Sequence, residues 1–377
     1  MTLPEIHGTC PAAFAGVKDA FAANFAAGEE IGARFTLCED GEVVLDIWAG
    51  AADRAREKPF DNRTVTQVFS TTKAVAALLV ARLVDEGRLA YDQPVAAVWP
   101  EFAQAGKDRI TVEQAMSHQA GLSGLRDEMK PDDWFDWDGV CARLAAMAPL
   151  WPPGTASGYH PVTYGFLSGE IFRRVDGRTM AQAFEEDFAQ PFGFDFAIGM
   201  RPEDRPRAAD LQRPTAFPQF GEINEATTLA FLKPWSSPAG GGAGVARSAP
   251  IPSTNGYGTA EALARLMAVF ACDGELAGRQ VLTPETVAAC ARERIRGQDL
   301  VLPYEMSWAA GLMRNASLSA WGPGEATVGH SGWGGSCAFA DPERRWSGAY
   351  VMNKQGTALV GDPRARRLIE AAYAATA

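Results

Sequence analysis

The chain has 377 residues, of which 47% are hydrophobic and 21% charged, and its formal net charge is −11. This composition is typical of a folded globular protein and excludes a disordered chain. The acidic balance, without any basic block, excludes a surface that tracks nucleic-acid phosphates and disfavours anionic membranes, so we expect neither partner. At roughly 150 residues per domain, the length predicts two to three structural lobes.

The first half of the chain begins with segments of clear periodicity. Apolar residues at helical spacing predict an opening helix over residues 11–27. Alternating segments at 33–38 and 42–49, separated by Glu39-Asp40-Gly41, predict a β-hairpin. A short strand at 65–69 then leads directly into a helix that begins at Ser70 and ends at Gly87.

The middle of the chain is predicted to be mostly helical. Thr111-Val112-Glu113-Gln114 is a capping box, Thr283-Pro284 is an N-cap followed by proline, and residues 259–270 form an amphipathic helix. Residues 240–244, rich in glycine, are predicted to be a flexible loop that lacks a phosphate-binding pattern.

Strands return at the end of the chain. They are predicted at 326–329, 337–340 and 347–352, and a last helix is predicted at about 363–374. Strands at both ends and helices between them predict an α/β domain with a helical insertion. We expect the α/β domain to comprise residues 1–75, 165–235 and 305–377, and the helical domain 76–164 and 236–304. The active site is expected at their interface.

The N-terminal residues, the cysteines and the histidines bear on cellular location and on metal binding. The N-terminus lacks the basic start and apolar run of a secretory signal, which predicts a cytoplasmic protein. The cysteines have no C-x-x-C spacing and are interpreted as reduced thiols: Cys10, Cys38, Cys141, Cys272, Cys290 and Cys337. The histidines show no ligand spacing, so no metal or other cofactor is expected: His7, His118, His160 and His330.

Ser70-x-x-Lys73 is the first candidate for chemistry. At the start of a helix, residues three apart face the same way, so Lys73 lies beside the Ser70 hydroxyl. A serine needs a neighbouring base to become a nucleophile, and a buried lysine that is neutral for part of the time can act as one. The alternative interpretation is a serine N-cap beside a solvated lysine.

Two further motifs follow in chain order. Pro152-Pro153-Gly154-Thr155 leads through a loop to Tyr159 and then into an apolar helix. His330-Ser331-Gly332-Trp333-Gly334-Gly335-Ser336 follows a strand, and its glycines allow a ligand to approach the backbone closely. Backbone N–H groups at such a strand edge can stabilise an oxyanion.

Together, the three motifs resemble the serine β-lactamase and penicillin-binding-protein superfamily, and most of all its class C-related family VIII carboxylesterases. The resemblance implies a β-lactamase-like fold, in which an antiparallel sheet is flanked by the N- and C-terminal helices. It also implies that Ser70 is acylated, that Lys73 accepts its proton, and that Tyr159 shuttles protons. By the same resemblance, the N–H groups of Ser70 and Trp333 form the oxyanion hole, and the substrate is bound by His330, Ser331, Gly332 and Trp333.

Two departures from the β-lactamase pattern bear on the substrate. Pro161 stands where an asparagine usually contacts the lysine and the substrate amide, and His330 stands where a lysine usually holds the substrate carboxylate. Both favour neutral short-chain esters, so the expected partner is a small ester. The aromatic residues at 131–137, with Trp235 and Trp333, either line the mouth of the site or simply pack. His118 is interpreted as a structural histidine.

Two other functions stay open at this point. The same machinery can hydrolyse a β-lactam, a D-peptide or another amide, or transfer an acyl group to an alcohol. A noncatalytic penicillin-recognising scaffold would keep the fold without the reaction. The presence of Ser70, Lys73 and Tyr159 together counts against the scaffold.

Overall fold

A computed structural model describes residues 3–238 and 242–376. Its strands are β1 His7–Thr9, β2 Gly32–Glu39, β3 Glu42–Gly50, β4 Thr66–Phe69, β5 Phe196–Ile198, β6 Gly256–Gly258, β7 Glu275–Leu276, β8 Arg279–Gln280, β9 Ile295–Gln298, β10 Glu305–Trp308, β11 Met313–Arg314, β12 Val328–Ser331, β13 Cys337–Asp341 and β14 Trp346–Met352. Its α-helices are α1 Ala15–Ala26, α2 Thr72–Asp85, α3 Val112–Met116, α4 Trp137–Ala146, α5 Thr163–Asp176, α6 Met180–Phe184, α7 Gln190–Phe192, α8 Glu225–Thr227, α9 Gly242–Ser248, α10 Ala260–Ala271, α11 Pro284–Ala291 and α12 Pro363–Ala374. Shorter 3₁₀ and π segments connect them.

The main sheet is antiparallel and joins the two ends of the chain. In the described residues its strand order is β1-β3-β2-β14-β13-β12-β11-β10-β9. The predicted hairpin is present as β2 and β3, and β2 pairs with β14, with Ala33 opposite Met352. Strands from both ends therefore form one sheet, as the sequence predicts.

Both faces of this sheet are covered by helices. On β13, Phe339 belongs to the core shared with α1 and α12, while its neighbours Ala338 and Ala340 belong to the core shared with α10. Successive side chains of a strand point to opposite faces, so small residues on one side let α10 approach closely. The sheet is thus buried between the two terminal helices and α10.

Helices α2 to α5 form a second packed group, and the contacts of individual elements cross the predicted domain boundaries. Helix α5 packs against α2, α3 and α4, although residues 165–235 were predicted in the α/β domain. Helix α10 packs on β2, β13 and β14, and β9 joins the sheet, although both were predicted in the helical domain. These contacts cross the predicted boundaries, because long-range packing is not visible in local periodicity.

One local prediction was wrong, and one small sheet was not predicted. Helix α9 begins at Gly242, inside the segment predicted as a flexible loop, while residues 240 and 241 lie outside the described part. The small antiparallel sheet β4-β6-β5 was not predicted, since two of its strands have only three residues. In residues 3–238 and 242–376, no helix is long and apolar enough to cross a membrane.

Candidate active site

Ser70 lies at the tight junction between β4 and α2. The preceding residue, Phe69, has a φ of +48°, a conformation that a side chain rarely adopts and that is often found at functional sites. Thr72 fixes this turn: its Oγ1 donates to the Phe69 carbonyl at 2.5 Å and accepts from the Gly256 N–H at 2.9 Å. The junction therefore presents Ser70, which is 9% exposed, at the start of α2.

Lys73 is fully buried beside Ser70, as the three-residue spacing predicts. Its Nζ lies 3.1 Å from Ser70 Oγ, 2.8 Å from the Pro161 carbonyl and 2.9 Å from the Ser253 carbonyl. All three partners are uncharged, and burial lowers the pKa of Lys73 well below its ordinary value. A neutral amine can donate to the two carbonyls and keep its lone pair for the serine hydroxyl.

Tyr159 lies beside both Ser70 and Lys73. Burial raises the pKa of its hydroxyl; a hydrogen bond with Ser70 lowers this pKa, and the charge of Asp299 raises it. Lys73 Nζ lies 4.9 Å from the centre of the Tyr159 ring. The structure therefore brings Ser70, Lys73 and Tyr159 together, with the phenol and the amine both favoured in their neutral forms.

The third motif packs directly against the strand that precedes Ser70. A Cβ atom on Gly332 would lie 2.2 Å from the Val68 carbonyl, so only glycine allows this close an approach of the two segments. Ser336 Oγ donates to the same carbonyl at 2.8 Å and lies 3.1 Å from Thr71 Oγ1. The turn that carries Trp333 is thereby attached to the residues on either side of Ser70.

His330 lies in the same cluster as a neutral imidazole. Burial and the nearby Lys73 lower its pKa well below the ordinary value, against a backbone hydrogen bond that raises it. Its Nδ1 is 2.7 Å from the Ser331 carbonyl, so Nδ1 carries the proton. In the part of the chain that the structure describes, Nε2 has no hydrogen-bond partner. His330 therefore offers an acceptor and no positive charge. Ser331, also buried, accepts a hydrogen bond from the Gly361 N–H at 3.4 Å.

The aromatic residues predicted near the mouth divide into two groups. Trp134 and Trp137 pack against Phe166 of α5, at ring-centre distances of 5.7 and 4.8 Å, and Trp235 donates to the Leu125 carbonyl. Trp333 is half-buried beside Phe231, whose ring centre is 6.5 Å from that of Tyr159. Packing thus accounts for the first group, and only Trp333 lies in the site.

His118 contacts the loop that carries Tyr159. Its Nδ1 accepts the His160 N–H at 3.1 Å, and its ring packs edge-on against Trp308. His160 in turn accepts from the Leu122 N–H through Nε2. These bonds fix the loop that carries Tyr159.

Sequence reasoning assigned no contact to three residues that shape the site. They are Ser253, Asp299 and Ser336, which contact Lys73, Tyr159 and the backbone before Ser70 respectively. Ser253 and Asp299 lie in loops far from these partners in the chain and carry no motif. Ser336 is part of the third motif, but its contact with Val68 crosses 268 residues.

Comparison with known proteins gives similarities over nearly the whole chain. The sequence model of the Beta-lactamase family matches residues 17–373 of this chain. The esterase/β-lactamase LipL of Mycobacterium tuberculosis is 34% identical over 375 residues, which cover 94% of this chain and 85% of LipL. A crystal structure of a penicillin-binding-protein homologue from Caulobacter crescentus is 64% identical, with a TM-score of 0.97, and the match covers 98% of this chain and 100% of that one. A family VIII carboxylesterase structure is 40% identical, with a TM-score of 0.92 and the same coverage.

Proposed function

The chain belongs to the β-lactamase family and is a serine hydrolase, and from this premise we propose that it cleaves short-chain carboxylic esters through an acyl-enzyme. The match to the family model and the similarity to the carboxylesterase structure confirm the family and the β-lactamase-like fold that the motifs predict. We further propose that it belongs with the family VIII carboxylesterases and acts in the cytoplasm. The observation that carries the proposal is the buried Lys73, whose Nζ contacts Ser70 Oγ and two backbone carbonyls. When the amine is neutral, the two carbonyls accept its hydrogens and its lone pair is available to the Ser70 hydroxyl.

Acylation begins with transfer of the Ser70 proton to the neutral Lys73. The Ser70 oxygen then forms a bond to the ester carbonyl carbon, and the carbonyl oxygen becomes an oxyanion. The N–H groups of Ser70 and Trp333 stabilise that charge, because fixed backbone donors need little reorganisation when it appears. The attachment of Gly332 and Ser336 to Val68 supports a fixed distance between these two donors.

Collapse of the intermediate expels the alcohol, which needs a proton. The Tyr159 hydroxyl supplies it, and the Lys73 ammonium returns a proton to Tyr159. In deacylation the same groups work in reverse: Tyr159 passes a proton to Lys73 and takes one from the attacking water. The raised pKa of Tyr159 and the lowered pKa of Lys73 support this division between acid and base.

The surroundings of the cluster favour neutral esters over β-lactams. His330 provides no cation for a carboxylate, and Pro161 offers only its carbonyl, which already accepts from Lys73. A lost charge-assisted hydrogen bond is worth about 1.5–3 kcal/mol, or roughly ten- to a hundredfold or more in affinity. Neutral short-chain esters need neither contact.

A substrate panel tests the proposal. p-Nitrophenyl esters of increasing acyl length are assayed beside nitrocefin and benzylpenicillin, with Ser70→Ala as the inactive control. We expect kcat/KM to be highest for short esters and lower by several orders of magnitude for benzylpenicillin. Equal hydrolysis of benzylpenicillin and p-nitrophenyl butyrate would replace the esterase assignment by that of a lactamase. No turnover of any substrate would favour the scaffold.

A further inference from the structure

Asp299 is a buried carboxylate just beyond β9, at 3% exposure. One oxygen accepts from three backbone N–H groups, those of Tyr159 at 2.9 Å, Val301 at 2.9 Å and Leu302 at 3.0 Å. The other accepts from the Ser157 hydroxyl at 2.9 Å and the Trp308 indole N–H at 3.1 Å. All five donors are uncharged, so its charge is stabilised by oriented dipoles alone.

Three of these contacts converge on Tyr159. Asp299 binds its backbone N–H directly, and it binds Ser157 two residues earlier in the same loop. It also fixes Trp308, whose ring lies parallel to that of Tyr159, with 5.7 Å between ring centres and 5° between the planes. The backbone and the ring face of the proposed proton donor are thus both tied to one carboxylate.

We propose that Asp299 is the positioning residue that holds the Tyr159 hydroxyl where it protonates the departing alcohol. The inference rests on the proposed function, because it assumes ester cleavage by Ser70. In this step the phenol O–H bond breaks, the alcohol O–H bond forms, and the Lys73 ammonium restores the phenol. The charge of Asp299 also supports the neutral phenol, since it raises the pKa of Tyr159 in addition to burial.

The leaving group provides a readout that a merely structural role would not move. p-Nitrophenolate leaves without a proton, whereas ethoxide needs one. We compare kcat/KM, which reports acylation, for p-nitrophenyl butyrate and ethyl butyrate in wild type and Asp299→Asn. A positioned general acid contributes about a hundredfold or more, so we expect Asp299→Asn to lose at least about tenfold more for the ethyl ester.

A matched control separates positioning from stability. Asp341 is an equally buried aspartate of the main sheet, where it accepts from the Glu343 N–H and the Tyr373 hydroxyl. We expect Asp341→Asn to affect both esters equally. Ser157→Ala removes one donor to Asp299 at little cost in volume, and it should lose about threefold more for the ethyl ester than for the p-nitrophenyl ester. This milder variant decides the question if Asp299→Asn does not fold.

Tyr159→Phe distinguishes failure of the inference from failure of the proposed function. Suppose that Tyr159→Phe lowers kcat/KM far more for ethyl butyrate than for p-nitrophenyl butyrate. If Asp299→Asn, or Ser157→Ala where Asp299→Asn does not fold, lowers both values equally, the positioning role of Asp299 is wrong. If Tyr159→Phe instead lowers kcat/KM equally for both esters, the proposed acid role of Tyr159 fails, and the inference fails with it. If wild type cleaves neither ester, the proposed function itself is wrong.

Discussion

Gly332→Ala should disable the site without unfolding the protein. The added methyl carbon would lie 2.2 Å from both the Val68 carbonyl and Ser336 Oγ. Ordinary contacts between such atoms are about 3.5 Å, so the turn must move away from β4 by about 1 Å. The proposed oxyanion donor Trp333 follows immediately in the chain and would move with it.

The expected effect is larger on catalysis than on stability. A displacement of about 1 Å in an active site can lower the rate roughly a hundredfold, while overpacking a buried position costs about 1–3 kcal/mol of unfolding free energy. We therefore expect kcat for p-nitrophenyl acetate to fall about a hundredfold in a protein that remains folded at 25 °C. Steady-state kinetics and urea unfolding measure the two effects.

Gly32→Ala is the matched control. Its Cβ would lie 2.3 Å from the Ala51 carbonyl, a comparable clash with backbone at the start of β2, where no residue of the proposed mechanism is involved. It should lose similar stability and keep most of its kcat. If folded Gly332→Ala retains half or more of wild-type kcat, or if both variants lose kcat equally, the role given to this turn is refuted.

Three further predictions follow from the charges. Lys73→Arg should be inactive at every pH, because arginine keeps its proton. In the wild type, burial lowers the pKa of Lys73, so kcat/KM should fall as acidification protonates the amine. A wild-type kcat/KM that is flat from about pH 5 to 9 would contradict this. Burial raises the pKa of Glu30 to about 7, against the opposing charge of Arg364. Between the ordinary value and 7 the folded state therefore binds more protons than the unfolded state, and the free energy of unfolding should decrease as pH rises. Urea unfolding at about pH 5 and at about pH 8 should show a smaller decrease in the free energy of unfolding for Glu30→Gln than for wild type. The same decrease in both proteins would refute the raised pKa of Glu30. His330→Lys should lower the inhibition constant of benzylpenicillin by supplying a cation for its carboxylate, and an unchanged constant would contradict the anchor argument.

Local signals in the sequence were sufficient for most of the elements. The capping box at Thr111, the N-cap at Thr283 and the final helix all occur where predicted. The relation of Ser70 to Lys73 was also predictable, because one helical turn fixes it regardless of the rest of the fold. Such features depend only on neighbours in the chain.

Features that depend on distant partners were not predictable in the same way. Pro161 lacks the amide side chain of the asparagine that usually contacts the lysine, yet its backbone carbonyl accepts a hydrogen bond from Lys73. Asp299 reaches Tyr159 across 140 residues, and Ser253 reaches Lys73 across 180. The packing of α10 on the sheet likewise depends on small residues in β13 and β14, which local periodicity does not connect to a helix.

The central claim is that Ser70 becomes acylated with Lys73 as its base. Intact-mass spectrometry after exposure to a fluorophosphonate, followed by peptide mapping, tests it most directly. We expect a single adduct on the peptide that contains Ser70, none in Ser70→Ala, and much slower labelling in Lys73→Met, a variant of similar length without the amine. An adduct that persists in Ser70→Ala, or undiminished labelling in Lys73→Met, would contradict the account.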